Sequence, residues 1–171
     1  KNIHSDPVLS LGISSFYILL FSLPFSLIST LKNKSSDLVK YLAIIANIFI
    51  AIQLVSRWII SSHFPVSNLF ESLCFLSWGL LLAQLLLERE YETPIISTLS
   101  IPLILLTLGF ACFVLPEDLR SSSNLVPALR SSWLVMHVTV VMLSYASLII
   151  GSCISASVLL IDNNQSLKIR S

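Results

Sequence analysis

The chain has 171 residues, of which 55% are hydrophobic and only 11% charged, with a formal net charge of +1. A soluble domain carries about 25% charged residues, so this composition excludes an ordinary water-soluble surface. The near-neutral charge and the lack of a basic stripe exclude a nucleic-acid footprint.

Five apolar runs are long enough to cross a bilayer, whose hydrocarbon core of about 30 Å needs about 20 helical residues. The spacing predicts helices at roughly 8–31, 38–62, 67–87, 95–115 and 132–161. They must be helices because lipid offers backbone amides and carbonyls no partner. The predicted fold is an all-α integral membrane protein, one transmembrane domain over 1–171 with about five helices in an antiparallel bundle. The chain begins at Lys1 rather than Met, and it is expected to be part of a longer or split protein. The first run is too long to be a cleaved signal peptide.

The first break is Lys32 to Asp37, and the second is the tight Ser62-His63-Phe64-Pro65 turn. Glu88 to Glu92 form the third, closed by Pro94, and the fourth runs from Pro116 to Ser131. Such short connections make consecutive helices antiparallel neighbours. Pro24 and Pro102 lie inside runs one and four, where proline kinks a helix. The side holding loops one and three and the C-terminus carries Lys32, Lys34, Lys40, Arg89, Lys168 and Arg170. The other side carries Lys1, Arg57, Arg120 and Arg130. This bias places the C-terminus on the cytoplasmic or stromal side.

The second and third runs form a hairpin. Arg57 lies about five residues before its turn and Glu71 about five after it, so the rise per residue puts both at similar shallow depth. They are expected to pair across the hairpin. The alternative has Arg57 snorkelling to the interface and Glu71 closing a capping box with Asn68; the two arrangements can coexist. His63 sits in the turn, either as a solvated polar residue or as a ligand contact. In the last run, Trp133, His137, Val141 and Ser144 share one helix face. A neutral imidazole one turn from an aromatic ring suits a flat iron cofactor; the alternative is a hydrogen bond to a neighbouring helix. Ser147, Gly151 and Ser155 follow at four-residue intervals, a small-residue ridge that lets another helix approach. Cys74, Cys112 and Cys153 form no Cys-x-x-Cys motif and read as small apolar residues.

Two long motifs carry a family resemblance. One is Ser56-Arg57-Trp58-Ile59-Ile60-Ser61-Ser62-His63-Phe64-Pro65-Val66-Ser67-Asn68-Leu69-Phe70-Glu71-Ser72-Leu73, continuing to Trp78. The other is Leu125-Val126-Pro127-Ala128-Leu129, then Ser132-Trp133-Leu134-Val135-Met136-His137-Val138 and Leu143-Ser144-Tyr145-Ala146. Together they resemble the CcsA (ResC) family of System II cytochrome c biogenesis, most closely its plastid and cyanobacterial members, from about residue 40 to 161. The resemblance implies haem delivery and attachment to apocytochrome c with a Ccs1/ResB-type partner, in a haem-lyase complex of which this chain is not catalytic alone. It implies a thylakoid, chloroplast or cyanobacterial membrane, with His137 on the lumenal side as an axial haem ligand and Trp133 walling the site. The family's tryptophan-rich segment, its second flanking histidine and a transmembrane histidine lie downstream of the last run. Here the tryptophans are Trp58, Trp78 and Trp133, so the likeness is to the N-terminal half. The alternative is a truncated relative serving as a structural subunit of a larger thylakoid complex such as a photosystem. A transporter or channel ranks last, since no line of polar residues crosses the midplane apart from the Arg57–Glu71 pair near one surface.

Overall fold

The computed structural model describes residues 7–32, 34, 36–62, 64–66, 68–91, 93–120 and 132–170. Helix α1 spans Pro7–Leu31, α2 Asp37–Ser61, α3 Leu69–Tyr91 and α4 Pro94–Gly109. A π-helical turn, Phe110–Val114, continues α4. A short α5, Glu117–Arg120, follows, and α6 runs Ser132–Arg170. Five stretches are long and apolar enough to cross a membrane: Val8–Leu31, Asp37–Ser61, Leu69–Tyr91, Pro94–Val114 and Ser132–Ala156. The described residues contain no strand. The chain is an all-α membrane protein, as its composition predicts.

The first four spans close into an up-down-up-down ring, with α1 against α2 and α4, and α3 against α2 and α4. One end of the ring carries the α2–α3 hairpin; the opposite end carries the α1–α2 and α3–α4 turns. The buried face of α1 is Gly12, Ser15, Leu19, Ser22, Ser26 and Ser29, a three-four spacing that keeps one stripe inward. Between helices in lipid there is no hydrophobic driving force, so close backbone approach and hydrogen bonds hold them together. The serines do both. Ser15 Oγ lies 3.3 Å from the Ala46 carbonyl of α2, and Ser26 and Thr30 contact the Thr98 hydroxyl of α4 at 2.8 and 2.6 Å. Ser77 and Thr107 join α3 to α4 at 3.0 Å, and Asn47 donates to the Trp78 carbonyl at 3.1 Å. Between these polar contacts Leu19, Ala46, Leu81 and Ile104, one from each helix, are fully buried.

Two boundaries differ from the sequence expectation. Helix α3 runs on through Glu88, Arg89, Glu90 and Tyr91 rather than breaking at 88. Glu88 falls four residues after Gln84 on the inward stripe, where both are buried, so the helix continues until the next one begins at Pro94. The second difference is the length of α6, which is helical to Arg170. Pro24 and Pro102 lie inside α1 and α4, as expected.

The last helix lies outside the ring, against α3 and to a lesser extent α4. As the fifth span it runs the same way as α3. It packs through Ala146, Ile150 and Cys153, which are buried. The expected ridge of Ser147, Gly151 and Ser155 is turned outward, and a Cβ on Gly151 would meet nothing within 4 Å. Shifting the packing residue by one position rotates an α-helix by about 100°, which carries the ridge off the ring.

The hairpin is closed by Ser62, which caps α2 in the left-handed conformation at φ 55°. A side chain there costs about 1 kcal/mol relative to glycine. Ser62→Gly is therefore expected to stabilise the protein by about 1 kcal/mol, measured by unfolding in mixed micelles.

Candidate functional site

At the hairpin end Arg57 and Glu71 meet at 3.2 Å between Arg57 Nη1 and Glu71 Oε1. Arg57 is 8% exposed and Glu71 fully buried, so Arg57 does not snorkel. The Asn68 cap is present as well: the Glu71 N–H donates to Asn68 Oδ1 at 2.9 Å. The guanidinium also lies 4.5 Å from the centre of the Phe70 ring.

The pair belongs to a longer chain of bonds. Arg57 Nη2 donates to the Arg120 carbonyl at 2.6 Å, and Arg120 Nη1 donates to the Cys112 carbonyl at 3.0 Å. Cys112 lies in the π-turn, where the Leu115 N–H bonds the Phe110 carbonyl five residues back. The wider ring leaves the Cys112 carbonyl for a side-chain donor. One polar clasp thus ties α2, α3, the end of α4 and α5 together, and α5 leads toward the segment from which α6 emerges. A buried ion pair is strongly destabilised by loss of either partner, so the clasp fixes this end of the bundle in one arrangement.

Behind the hairpin, on the lipid-facing side of α2 and α3, lies an apolar recess of about 150 Å³ lined by Leu54, Trp58, Phe64, Pro65, Phe75 and Trp78 among others. Its rings contact in series: Trp58–Phe64 at 5.2 Å, Phe64–Phe75 at 6.1 Å and Phe75–Trp78 at 5.6 Å between centroids. Trp58 and Phe64 brace the turn at the end of the span, where tryptophan is favoured, and Phe75 and Trp78 carry the series deeper along α3. His63, expected in this turn, lies outside the described residues.

Trp133 and His137 stand at the start of α6, one turn apart and both exposed, Trp133 at 79%. Val141 is half-buried and Ser144 exposed on the same face. The structure does not bring His137 to the clasp; its face is turned away from the ring. His137 is exposed, and a neutral imidazole nitrogen has the chemistry to ligate a metal or accept a hydrogen bond. Among the described residues no group of three or more His, Cys, Asp or Glu side chains forms a polydentate metal site.

Sequence reasoning did not single out Arg120 or the buried Gln53, Gln84 and Glu88. The three-four spacing of serines along α1 was the available signal for a polar bundle interior. Gln53 is fully buried against Gly12, where an added Cβ would lie 2.6 Å from Gln53 Oε1 and would make the Gln53 amide shift.

Residues 66–171 match the cytochrome C assembly protein family. The whole chain is 66% identical to the cytochrome c biogenesis protein CcsA of Prochlorococcus marinus subsp. pastoris, covering 54% of that protein. It is 63% identical over its whole length to CcsA of strain MIT 9515, covering 55% of it. For strain NATL2A the identity is 53% over 170 residues, 99% of this chain and 54% of the relative. The chain thus spans about half the length of these relatives.

Proposed function

This chain belongs to the cytochrome C assembly protein family, and on that premise we propose that it is the N-terminal half of a CcsA-type protein that holds and delivers haem for c-type cytochrome assembly. The observation that carries the reading is the exposed Trp133–His137 face, inside the matched region. A neutral imidazole is a good axial ligand for haem iron, and an indole one turn away offers a flat apolar wall. Haem is the cargo here. These residues suit one side of it, and the opposite ligand comes from a residue beyond those described or from a ResB-type partner.

In this reading the hairpin end and the start of α6 face the lumen or periplasm, where the apocytochrome receives haem. The positive-inside rule supports that orientation: Lys32, Lys34, Lys40 and Arg89 lie toward the opposite end. The membrane is a thylakoid or cyanobacterial plasma membrane. The clasp keeps α5 fixed against α2 and α3.

The test is His137→Ala in the intact protein, purified for absorption spectroscopy and co-expressed with its partner and a reporter apocytochrome. The haem band should vanish or shift, and holocytochrome should fall at least the roughly tenfold that follows loss of even a supporting group around a metal. Equal haem in both forms would remove His137 as ligand. No haem in either form, with the helices intact, would favour a structural subunit of a larger complex.

A further inference from the structure

The outer face of α6 differs in kind from the outer faces of α2 and α4. Between Tyr41 and Ile60 the exposed positions of α2 carry tyrosine, isoleucine, valine and tryptophan. Between Pro94 and Val114 those of α4 are Pro102, Leu103, Leu106, Phe110, Phe113 and Val114. Large apolar side chains of this kind partition into lipid. On α6 the exposed positions include Ser144, Ser147, Gly151, Ser152, Ser155 and Ala156, and an added Cβ at Gly151 would meet nothing within 4 Å. Small residues gain little from lipid and let a second backbone come close.

The protein uses the same arrangement where two of its own helices meet. Ser15, Leu19, Ser22 and Ser26 form the buried stripe of α1, at steps of four, three and four residues. Ser144, Leu148, Gly151 and Ser155 repeat those steps, with leucine in the second place and a small residue in the other three. On α1 the stripe is covered by α2 and α4. Its Ser15 hydroxyl lies 2.9 Å from the Leu11 carbonyl of its own helix and 3.3 Å from the Ala46 carbonyl of α2. Ser144 and Ser155 likewise donate to carbonyls of their own helix, Val140 at 2.8 Å and Gly151 at 3.0 Å. The α6 stripe has no helix of the ring over it, and its Leu148 is 70% exposed.

We infer that the Ser144–Ser155 face of α6 is the docking surface for a further membrane helix, the next span of the full-length protein. The inference rests on reading the chain as the N-terminal half of a CcsA-type protein. The chain covers 54% of one relative and 55% of another, so on that reading nearly half of the protein remains to be placed around these spans. Consecutive elements are usually neighbours in space. The inner side of α6 is taken by α3 and α4, which leaves the outer face for a neighbour. Joined to α6 by a short connection, that neighbour runs antiparallel to it.

The test replaces Leu148, or in a second variant Tyr145, with the photo-cross-linker p-benzoylphenylalanine in the full-length protein in its native membrane. Tyr145 is an exposed aromatic beside the stripe, so the probe changes its shape little and guards against misfolding at Leu148. Ile48, 50% exposed on the isoleucine face of α2, is the lipid-facing control. After illumination, mass spectrometry should find Leu148 and Tyr145 joined to a peptide from beyond residue 171 of the same chain, and Ile48 joined to lipid. Lipid adducts at all three positions overturn the surface, and equal protein cross-linking at Ile48 and Leu148 overturns the contrast of faces. A cross-link to another polypeptide, a second copy included, overturns the occupant. A mature protein whose intact mass ends at Ser171 overturns the half-protein reading itself, and that mass is known before illumination. Haem plays no part in the readout, so failure of His137 as a ligand would leave this test standing.

Discussion

Replacing Arg57 with Met is expected to destabilise the protein by about 3–5 kcal/mol, the cost of leaving a buried charge without its partner. Glu71 is fully buried and would keep its carboxylate 3.2 Å from where the guanidinium stood. The same change removes the donor to the Arg120 carbonyl and the cation over Phe70. Glu71→Leu should cost somewhat less, because Arg57 keeps its bond to Arg120. The double variant, Arg57→Met with Glu71→Leu, should recover most of the loss, since no buried charge remains. A residual deficit of about 1–2 kcal/mol is expected from the orphaned carbonyl and the lost ring contact. Unfolding of all four proteins in mixed micelles gives the coupling free energy directly. Strictly additive losses would show that the two charges do not depend on one another.

The second large effect is expected where α6 meets the ring. A Cβ at Gly79 would lie 3.4 Å from the Ala146 Cβ and 3.7 Å from Leu143 Cδ2. Gly79→Ala fits as an ordinary contact. Gly79→Leu does not, and should cost about 1–3 kcal/mol through overpacking. Because α6 is held mainly by α3, that strain falls on the placement of Trp133 and His137. A cross-link between cysteines placed at Leu76 and Leu143 would report it: efficient in the parent, weak in Gly79→Leu. Gly151→Leu is the informative contrast. The position has open space around it, so this chain should tolerate the change. If the full-length protein is destabilised by it, the outer face of α6 is covered there by another helix.

The membrane spans are legible in the sequence because bilayer thickness dictates their length, and lipid forbids anything but helix within it. The Arg57–Glu71 pairing is legible for a related reason: equal depth on either side of a short turn leaves two opposite charges few other partners. Arg120 is not legible, because its contact with Arg57 crosses 63 residues of chain and depends on where α5 comes to rest. Glu88 misleads, since a charge at the end of an apolar run ordinarily marks the water. Here the stripe that buries Gln84 carries it inside. The face shared by Trp133, His137 and Ser144 follows from helical spacing alone. Which face of α6 turns outward does not, because a helix apolar all round announces no preferred side.

The π-turn at Phe110–Val114 makes that point of α4 the place where the helix absorbs a change of length. A π-turn is one residue more than the α-helical turn it replaces. Deleting a single residue there would restore a regular α-helical turn and leave the following Pro116–Arg120 segment nearly in place, while closing the wide ring that leaves the Cys112 carbonyl to Arg120. The same deletion in the regular part of α4 would instead swing that segment by about 100° about the axis and take Arg120 from its place over Arg57. One-residue length differences in homologous chains should therefore gather at this turn and in the α1–α2 and α3–α4 connections.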